Sequence, residues 1–342
     1  MVKKKLIAVV LLSFSLFSTL SACSSNSSPS SSETSSTQTT VSTSETTNKP
    51  KPGGMMGGGA VDKSSDTELQ SMISEVEGKF KQFEFKDPDT GKTVPYNLYI
   101  PDDYDSSKSY PLVLFIADSS VVGKDNTAPL TQGYGGIIWV TKEEQEKHES
   151  FVLVPQYPEV IIDDHGSFTT TDYVEITARL LNSVTSSYNI DENRLYGTGQ
   201  SMGCMTIMYL SAEHPDLFAA QLFVSGQWDV SKLGPLANQK FFYIAAAGDQ
   251  KASTGQTELL AALQKEGASI STATWDATWS ADKFTTAVKS ILSEGKNINF
   301  VTFELGTVLP EGVPVGTSEH MYSFDYAYKI EGVRDWLFNQ TK

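Results

Sequence analysis

One serine in this chain lies where its hydroxyl could become a nucleophile. Ser201 is the centre of Gly199-Gln200-Ser201-Met202-Gly203, a Gly-x-Ser-x-Gly pattern between an apolar strand segment and an apolar helical segment. A sharp strand-to-helix turn there exposes the hydroxyl and aims the backbone N–H of Met202 at a developing oxyanion. Glycine on both flanks leaves room for the neighbouring strand and helix. Because the pattern alone is common, these flanking elements are what favour a nucleophile over an ordinary glycine-rich turn.

A serine hydroxyl also needs a base to take its proton, and the chain has four histidines. His148 lies on a polar helix and is predicted to be solvated. His214 ends the helix that follows Ser201, in a capping position, and His165 lies in a loop where either interpretation stands. His320 lies in a loop between the last strand and the last helix, which favours it as the base.

The base in turn needs an acid that orients its imidazole. Asp249 directly follows an apolar strand, and the chain order Ser201, Asp249, His320 agrees with the order known for one hydrolase fold. Asp276 is the second candidate and Asp229 the third. Each of these aspartates could instead cap a helix or lie in a plain loop.

Apolar strands alternate with helices along the chain, which predicts an α/β fold with a mostly parallel central sheet and helices on both faces. Segments 81–86 and 94–100 flank a turn and predict an N-terminal β-hairpin. The further predicted strands are 111–117, 151–155, 195–198, 219–225, 241–247, 270–275 and 298–304. The predicted helices are 65–77, 142–148, 173–188, 202–212, 256–267, 281–295 and 325–340.

Several segments resemble α/β-hydrolases of the poly(3-hydroxybutyrate) depolymerase and feruloyl-esterase-like group. They are equally similar to a neighbouring group of predicted prolyl-oligopeptidase-type peptidases. The resemblance implies a secreted serine hydrolase with Ser201, Asp249 and His320 as its triad, and it leaves ester against amide undecided. The segments that carry it are 96–101, 110–115, 194–203, 215–220 and 335–338.

The chain departs from this group in the turn after strand 111–117. The group has His-Gly there and draws its second oxyanion donor from that turn, whereas this chain has Ala117-Asp118-Ser119-Ser120. A carboxylate about 4 Å from the oxyanion costs about 4 kcal/mol at an effective dielectric near 20, which is roughly a thousandfold in rate. Either Asp118 points away and a backbone N–H near Ser119 donates, or activity is poor.

Large side chains near the predicted site are candidates for contact with a substrate. Gln200, Tyr157, Trp228 and Trp275 are assigned to the pocket wall. The strand and helix within 270–295 separate Asp249 from His320 and are expected to shape part of the pocket.

The composition and charge of the chain argue against several classes of ligand. The formal net charge is -15, which argues against nucleic acid, because a nucleic-acid binder neutralises phosphates with Lys and Arg. No metal-ligand spacing, phosphate loop or dinucleotide fingerprint is present, so no metal and no cofactor are predicted. The two cysteines exclude a disulfide framework, and Cys204 is expected to be a buried small residue where the resembling group often has glycine.

The first 65 residues predict export and anchoring. Residues 1–22 have the basic start and apolar stretch of a signal peptide. Leu20-Ser21-Ala22-Cys23 resembles the lipobox of bacterial lipoproteins, which implies lipidation of Cys23 and attachment to the extracytoplasmic face of the cell membrane. Residues 23–65 are rich in Ser, Thr and Gly and predict a disordered linker, so the hydrolase domain is assigned to residues 66–342.

The sequence thus predicts a lipid-anchored serine carboxylesterase acting on a small-molecule ester. Two rivals stay open. One is a serine peptidase of small peptides. The other is a catalytically dead surface binding protein on a hydrolase scaffold, which is suggested by the carboxylate of Asp118 in the oxyanion turn.

Overall fold

The computed structural model describes residues 61–342, and the predicted signal peptide, Cys23 and nearly all of the predicted linker lie outside them. Lys63 lies before the predicted start of the domain, yet its ammonium is 2.5 Å from the carboxylate of Asp325. Lys63, at the end of the predicted linker, is thus in contact with the folded part of the chain. Within residues 61–342, no helix combines the length and apolar character that crossing a membrane requires.

A twisted central sheet of nine strands organises the described chain. Its strand order is β1-β2-β4-β3-β7-β8-β9-β11-β10, and a separate two-stranded sheet pairs β5 with β6. All neighbours in the large sheet are parallel except the β1–β2 and β2–β4 pairs. The strands are β1 Lys81–Lys86, β2 Thr93–Tyr99, β3 Tyr110–Ile116, β4 Phe151–Pro155, β5 Ile162–Asp163, β6 Thr169–Thr170, β7 Ile190–Gln200, β8 Ala220–Val224, β9 Phe241–Ala246, β10 Ile270–Trp275 and β11 Ile298–Phe303.

Helices cover both faces of this sheet, as the alternation of elements predicts. In β3, Leu112 and Leu114 pack on one face while Val113 and Phe115 pack on the other, because successive side chains of a strand point to opposite sides. The helices are α1 Thr67–Val76, α2 Ala128–Thr131, α3 Lys142–Lys147, α4 Asp172–Ser187, α5 Met202–Glu213, α6 Gln250–Lys265, α7 Ala281–Leu292, α8 His320–Lys329 and α9 Glu331–Phe338. Buried residues of α4, α5 and α6 belong to one core, and those of α1, α7, α8 and α9 to the other.

The predicted N-terminal hairpin is present. Strands β1 and β2 pair antiparallel from Lys81 opposite Leu98 to Lys86 opposite Thr93. The turn between them is held by the buried carboxylate of Asp87, which accepts hydrogen bonds from both the backbone N–H and the hydroxyl of Thr90.

Three helix boundaries differ from the prediction. Helix α1 is capped by Asp66 rather than Ser65, because the Asp66 side chain accepts the Leu69 N–H. Helix α6 begins at Gln250 rather than at residue 256, directly after its capping residue Asp249. The predicted helix 325–340 is two helices that meet at Ile330, whose extended backbone ends α8 and starts α9. Helix α8 also begins at His320 rather than at residue 325, so the predicted loop position of His320 is wrong and this residue is in the first turn of a helix.

Two segments between strands were not predicted. Residues 119–140 form short helical turns between β3 and β4. Residues 156–171, called here the 156–171 loop, carry the small β5–β6 hairpin between β4 and α4. Both segments follow the carboxyl ends of parallel strands, the sheet edge at which α/β proteins bind ligands.

Candidate active site

The turn around Ser201 has the strained geometry that its glycines predict. Ser201 has φ 52° and ψ −115°, between the end of β7 and the start of α5, and its N–H donates to the Val224 carbonyl at 3.0 Å. A positive φ is uncommon for a residue other than glycine and costs backbone energy. A Cβ at Gly203 would overlap the Ile116 carbonyl, and one at Gly199 would overlap the Gly203 backbone. The close approach of β3, β7 and α5 therefore requires glycine at both positions.

The structure brings the predicted nucleophile, base and acid together. The Oγ of Ser201 lies 2.8 Å from Nε2 of His320, and Nδ1 of His320 lies 2.6 Å from Oδ2 of Asp249. Because an ionised carboxylate can only accept, Nδ1 carries the imidazole proton and Nε2 is left to accept from the serine hydroxyl. This is the tautomer that a general base needs.

Asp249 is held by its own helix. Its Oδ1 accepts the Ala252 N–H at 3.2 Å as the cap of α6, and the residue is 3% exposed. Its rivals are used elsewhere: Asp276 accepts from the N–H and hydroxyl of Thr278, and Asp229 from those of Ser231. Among the three aspartates, Asp249 is the one in contact with the imidazole of His320.

The two residues predicted to supply the oxyanion donors, Met202 and Ser119, are each the first residue of a helical segment and line the same cavity as Ser201. Met202 is the first residue of α5, so its N–H has no carbonyl partner within the helix. Ser119 begins a short 3-10 turn capped by Asp118, whose Oδ1 accepts the N–H of Ser120 at 2.7 Å. With the Ser120 N–H taken, the Ser119 N–H is the donor that the turn leaves available.

Asp118 does not present a free carboxylate to this site. The residue is 2% exposed. Besides the Ser120 N–H, its carboxylate accepts the side-chain amide of Gln132 at 2.6 Å and that of Gln200 at 2.8 Å. Asp118 thus connects this turn to Gln200, the residue before Ser201.

A cavity of about 710 Å³ opens above Ser201 and His320. Its size is in the range of small-molecule sites. The side chains of Ser201, His320 and Asp249 line it, together with the turn of Asp118 and Ser119. Its remaining wall comes from parts of the chain that sequence reasoning missed: Val160, Ile162, Asp163, Asp164 and His165 of the 156–171 loop, with Met205, Gln227, Lys251 and Met321.

The four side chains assigned to the pocket wall are packed in the protein interior instead. Gln200 is 1% exposed and donates to Asp118, while the Tyr157 hydroxyl bonds to Thr177 at 2.7 Å. Trp228 packs edge-on against Phe168 and Tyr209, and Trp275 against Phe284. Large aromatic side chains stabilise the core most when buried, which explains the difference. The segment 270–295 does not line the cavity either, because β10 is the edge strand farthest from β7 on that side.

The other histidines and Cys204 have structural surroundings. His148 is not simply solvated: it stacks on Phe338 and lies 2.9 Å from Asp335. His214 is the C-cap of α5 and lies 2.9 Å from Glu175. Cys204 is fully buried, and burial raises the pKa of its thiol, so the group is not a poised nucleophile.

Among the described residues, one group of side chains has the spacing of metal ligands: Asp163, Asp164 and His165, whose ligand atoms lie within 4.8 Å of one another. Their partners lie within the protein, however. His165 bonds to Asp163, and the Lys251 ammonium lies 3.1 Å from Asp164. Because a lysine already supplies the positive charge at this place, these residues are better described as an ion-paired rim than as a metal centre.

Comparison with known proteins places the fold. No family model matches the chain, and no curated protein sequence matches it. Among solved structures, a thermostable esterase aligns with a TM-score of 0.63 at 26% identity, over 78% of this chain. The aligned part is 64% of that esterase, so this chain spans less than two thirds of its length.

Two further solved structures align more weakly and carry no conclusion about this chain. A mutant of the feruloyl esterase module from Clostridium thermocellum, complexed with sinapinate, has a TM-score of 0.47 at 12% identity over 74% of this chain and 88% of its own. A putative dipeptidyl aminopeptidase IV from Bacteroides ovatus has a TM-score of 0.48 at 10% identity over 76% and 36%. Taken with the strand order and the Ser201 turn, the first alignment shows that residues 61–342 have the α/β-hydrolase fold.

Proposed function

We propose that this protein is a serine carboxylesterase in which Ser201, His320 and Asp249 form the catalytic triad. One observation carries the proposal: the Ser201 hydroxyl, the His320 imidazole and the Asp249 carboxylate form a continuous hydrogen-bonded chain at the floor of a cavity. Ser201 is a half-buried residue on a strained turn, and its hydroxyl bonds to an imidazole backed by a carboxylate, which is the arrangement in which a base can remove the hydroxyl proton. The alignment with a thermostable esterase supports the ester as the substrate class.

The first half of the reaction forms an acyl-enzyme. The Ser201 Oγ attacks the ester carbonyl while His320 Nε2 takes the hydroxyl proton, and the carbonyl π electrons move onto oxygen. The N–H groups of Met202 and Ser119 stabilise that oxyanion. When the tetrahedral intermediate collapses, the C–O bond to the alcohol breaks and His320 Nε2–H protonates the leaving alcohol.

The second half restores the enzyme. Water attacks the acyl carbon while His320 Nε2 accepts its proton. When this second tetrahedral intermediate collapses, the bond between the acyl carbon and Ser201 Oγ breaks, His320 Nε2–H returns the proton to Oγ, and the carboxylic acid departs. Asp249 stays ionised throughout, holding the proton on Nδ1 and stabilising the imidazolium. The described residues that line the cavity include no arginine, and the charged ones are mostly acidic, so uncharged esters suit it better than anionic ones.

A labelling experiment tests this function. The folded domain, residues 61–342, is treated with a fluorophosphonate and the adduct is mapped by mass spectrometry. We expect an adduct on Ser201 that is lost in both Ser201→Ala and His320→Ala. Hydrolysis of p-nitrophenyl esters should fall with it, by on the order of 10⁶-fold in Ser201→Ala. Ester hydrolysis that survives in Ser201→Ala at the parent rate would contradict the proposal.

Assays of the same protein distinguish the esterase from the peptidase and from the binding protein. Peptide p-nitroanilides cleaved faster than the matched esters would identify a peptidase with the same triad. A chain that neither labels nor hydrolyses would be the binding protein. That alternative was motivated by a free carboxylate beside the oxyanion, and the carboxylate of Asp118 is instead occupied by three donors.

We also propose that the enzyme is exported and anchored through a lipid on Cys23. The support is the signal-like start of the chain and the lipobox-like Leu20-Ser21-Ala22-Cys23. The full chain expressed in a bacterium fed an alkyne fatty acid should become labelled and sediment with membranes. Cys23→Ser should abolish both, whereas Cys204→Ser, which removes the buried cysteine, should keep both. Labelling that persists in Cys23→Ser would contradict the anchor.

A further inference from the structure

A fully buried carboxylate next to the proposed base has no role in the mechanism above. Glu319 precedes His320 and is 0% exposed. Its Oε2 accepts the Gly248 N–H at 2.8 Å, and its Oε1 accepts the Gly306 N–H at 2.5 Å. Within residues 61–342 no lysine, arginine or histidine forms an ion pair with it. A buried charge is costly and is kept where its hydrogen bonds are short and complete.

The bonds of Glu319 join the segments that carry the acid and the base. Gly248 directly precedes Asp249, and Glu319 directly precedes His320. The connection is reciprocal, because the Glu319 N–H also points to the Gly248 carbonyl at 3.4 Å. Gly306 adds a third segment, the loop that leads from β11 towards α8. Three loops at the carboxyl edge of the sheet are therefore tied to one side chain.

The glycine at position 248 fits this arrangement. A Cβ built at Gly248 would overlap the carboxyl group of Glu319. The carboxylate thus lies directly against the backbone of the residue before Asp249. Its position decides where that backbone lies relative to His320.

We propose that Glu319 is a positioning residue that sets the Asp249–His320 hydrogen bond. This inference rests on the proposed triad and deepens it. Asp249 caps α6 and His320 is the first residue of α8, so their 2.6 Å contact depends on how the starts of these two helices are held together. Glu319 connects them through charge-assisted bonds to main-chain N–H groups. A shift of about 1 Å in such a constellation costs up to about a hundredfold in rate.

The test is Glu319→Gln, with Glu144→Gln as its matched control. The amide keeps the size of the side chain but turns an NH2 group towards one of the two glycine N–H groups. Glu144 is another buried glutamate, 3% exposed, and its partner is Arg334 away from the cavity. The control therefore reports what loss of a buried carboxylate does to the fold alone.

We expect kcat and the fluorophosphonate labelling rate of Glu319→Gln to fall by about 10- to 100-fold with KM nearly unchanged. The low-field proton NMR resonance of His320 Nδ1–H, identified by its loss in Asp249→Asn, should shift upfield or broaden. Glu144→Gln should keep the parent kcat and the parent resonance, even if its Tm falls as much. If Glu319→Gln does not fold, Gly248→Ala tests the same contact from the other side and should give the same losses.

A resonance and a labelling rate equal to those of the parent in Glu319→Gln would overturn the inference. So would equal losses of activity in Glu319→Gln and Glu144→Gln. The NMR signal distinguishes this failure from failure of the proposed function, because it reads the Asp249–His320 bond without any turnover. A parent protein that is not labelled at Ser201 but loses the resonance in Glu319→Gln would keep the positioning role and reject the esterase.

Discussion

The side-chain amide of Gln200 donates to the carboxylate of Asp118 at 2.8 Å. This bond connects the residue before the proposed nucleophile to the turn that offers the second oxyanion donor. The sequence predicts that the Asp118 carboxylate could destabilise the oxyanion. In the structure this carboxylate instead holds the turn of Ser119 and Ser120 against Gln200. The amide oxygens of Gln200 and Gln132 are both buried without a hydrogen-bond partner among the described residues, so both amides are held through their nitrogens. The Gln200 nitrogen donates to Asp118, and the Gln132 nitrogen donates to Asp118 and, at 3.4 Å, to the Ser120 hydroxyl.

Asp118→Ala should therefore impair catalysis rather than improve it. The change leaves the Ser120 N–H and two glutamine amides without their acceptor and loosens the turn of Ser119. We expect kcat to fall by about 10- to 100-fold, somewhat less than for outright loss of an oxyanion donor. The free energy of unfolding should fall by about 1–3 kcal/mol. Ester kinetics and urea denaturation measure the two effects.

Asp118→Asn is the matched comparison. If both glutamines turn their amides over, the asparagine can keep all three bonds while the charge is removed. We expect its kcat to stay within a few-fold of the parent. A rate increase of about a hundredfold or more would instead mean that the carboxylate acts directly against the oxyanion.

Asp249→Asn should disable the triad without unfolding the protein. The asparagine oxygen can still accept the Ala252 N–H as the cap of α6, but its NH2 group favours the wrong tautomer of His320. We expect kcat to fall by on the order of 10³- to 10⁴-fold. Asp276→Asn, at the competing acid, should leave kcat unchanged because Asp276 bonds only to Thr278. A large loss of kcat in Asp276→Asn, with kcat unchanged in Asp249→Asn, would assign the acid role to Asp276.

Gly203→Ala should destabilise the fold strongly. The new Cβ would overlap the carbonyl of Ile116, and a backbone atom in a central strand cannot move aside as a flexible side chain can. We expect a loss of about 3 kcal/mol or more in the free energy of unfolding. Gly234→Ala is the control, because nothing lies within 4 Å of a Cβ there. Equal unfolding midpoints for the two variants would show that β3 and α5 are less closely packed than described.

The parts of this site that the sequence predicts are those with a local signature. Ser201 is marked by its glycines, and Asp249 and His320 by their places after apolar strands. Runs such as Leu112-Val113-Leu114 reveal central strands because both faces are buried. In each of these cases the structural feature follows from the residue types in one short stretch of the chain.

The parts that it does not predict depend on contacts between distant segments. The 156–171 loop has neither helical nor strand periodicity, yet Asp164 reaches Lys251 on α6. Glu319 looks like any loop glutamate until Gly248 and Gly306 are brought to it by the fold. Conversely, Trp228 and Trp275 were assigned to the cavity by type, although aromatic area is most stabilising in the core. The break at Ile330 is marked by no proline, and the nearby Gly332 lies inside α9 rather than at the break.

Asp164→Ala should weaken substrate binding more than catalysis. Asp164 ties the 156–171 loop to Gln227 and to Lys251, and all three residues line the cavity. Without it the loop loses its polar bonds to these two residues and keeps the packing of Phe168 on Trp228, while the triad is untouched. We expect KM to rise about 3- to 10-fold, consistent with the loss of about 1 kcal/mol from one partly exposed ion pair. The value of kcat should change little.

The control for this loop is Glu159→Ala, which removes an exposed carboxylate from the same segment. Its KM should equal that of the parent. The Lys251→Met variant should raise KM as Asp164→Ala does, and the double variant should add little more, because each change breaks the same ion pair. Fully additive effects would show that Asp164 and Lys251 act on the substrate separately.

Asp87 should make stability depend on acid pH. Its buried carboxylate accepts from the Arg179 Nε at 2.6 Å and from the Thr90 hydroxyl at 2.7 Å. Chiefly because of the bond to Arg179, and despite burial, the pKa of Asp87 lies well below its ordinary value. As the pH falls, the unfolded chain therefore takes up a proton first. The stabilisation is complete above the unfolded pKa of about 3.9 and is lost as the pH falls through the folded pKa.

Asp87→Asn should then lower the free energy of unfolding by about 1–3 kcal/mol at neutral pH. The difference from the parent should shrink below about pH 4, where the unfolded parent is protonated at this position. Urea denaturation across this pH range measures both. Asp89→Asn is the control, because the Asp89 side chain is 69% exposed and lies 3.6 Å from the same guanidinium, where an ion pair contributes little. A stability difference between Asp87→Asn and the parent that stays constant down to pH values well below 4 would show that the loss comes from packing in the hairpin turn and not from the charge.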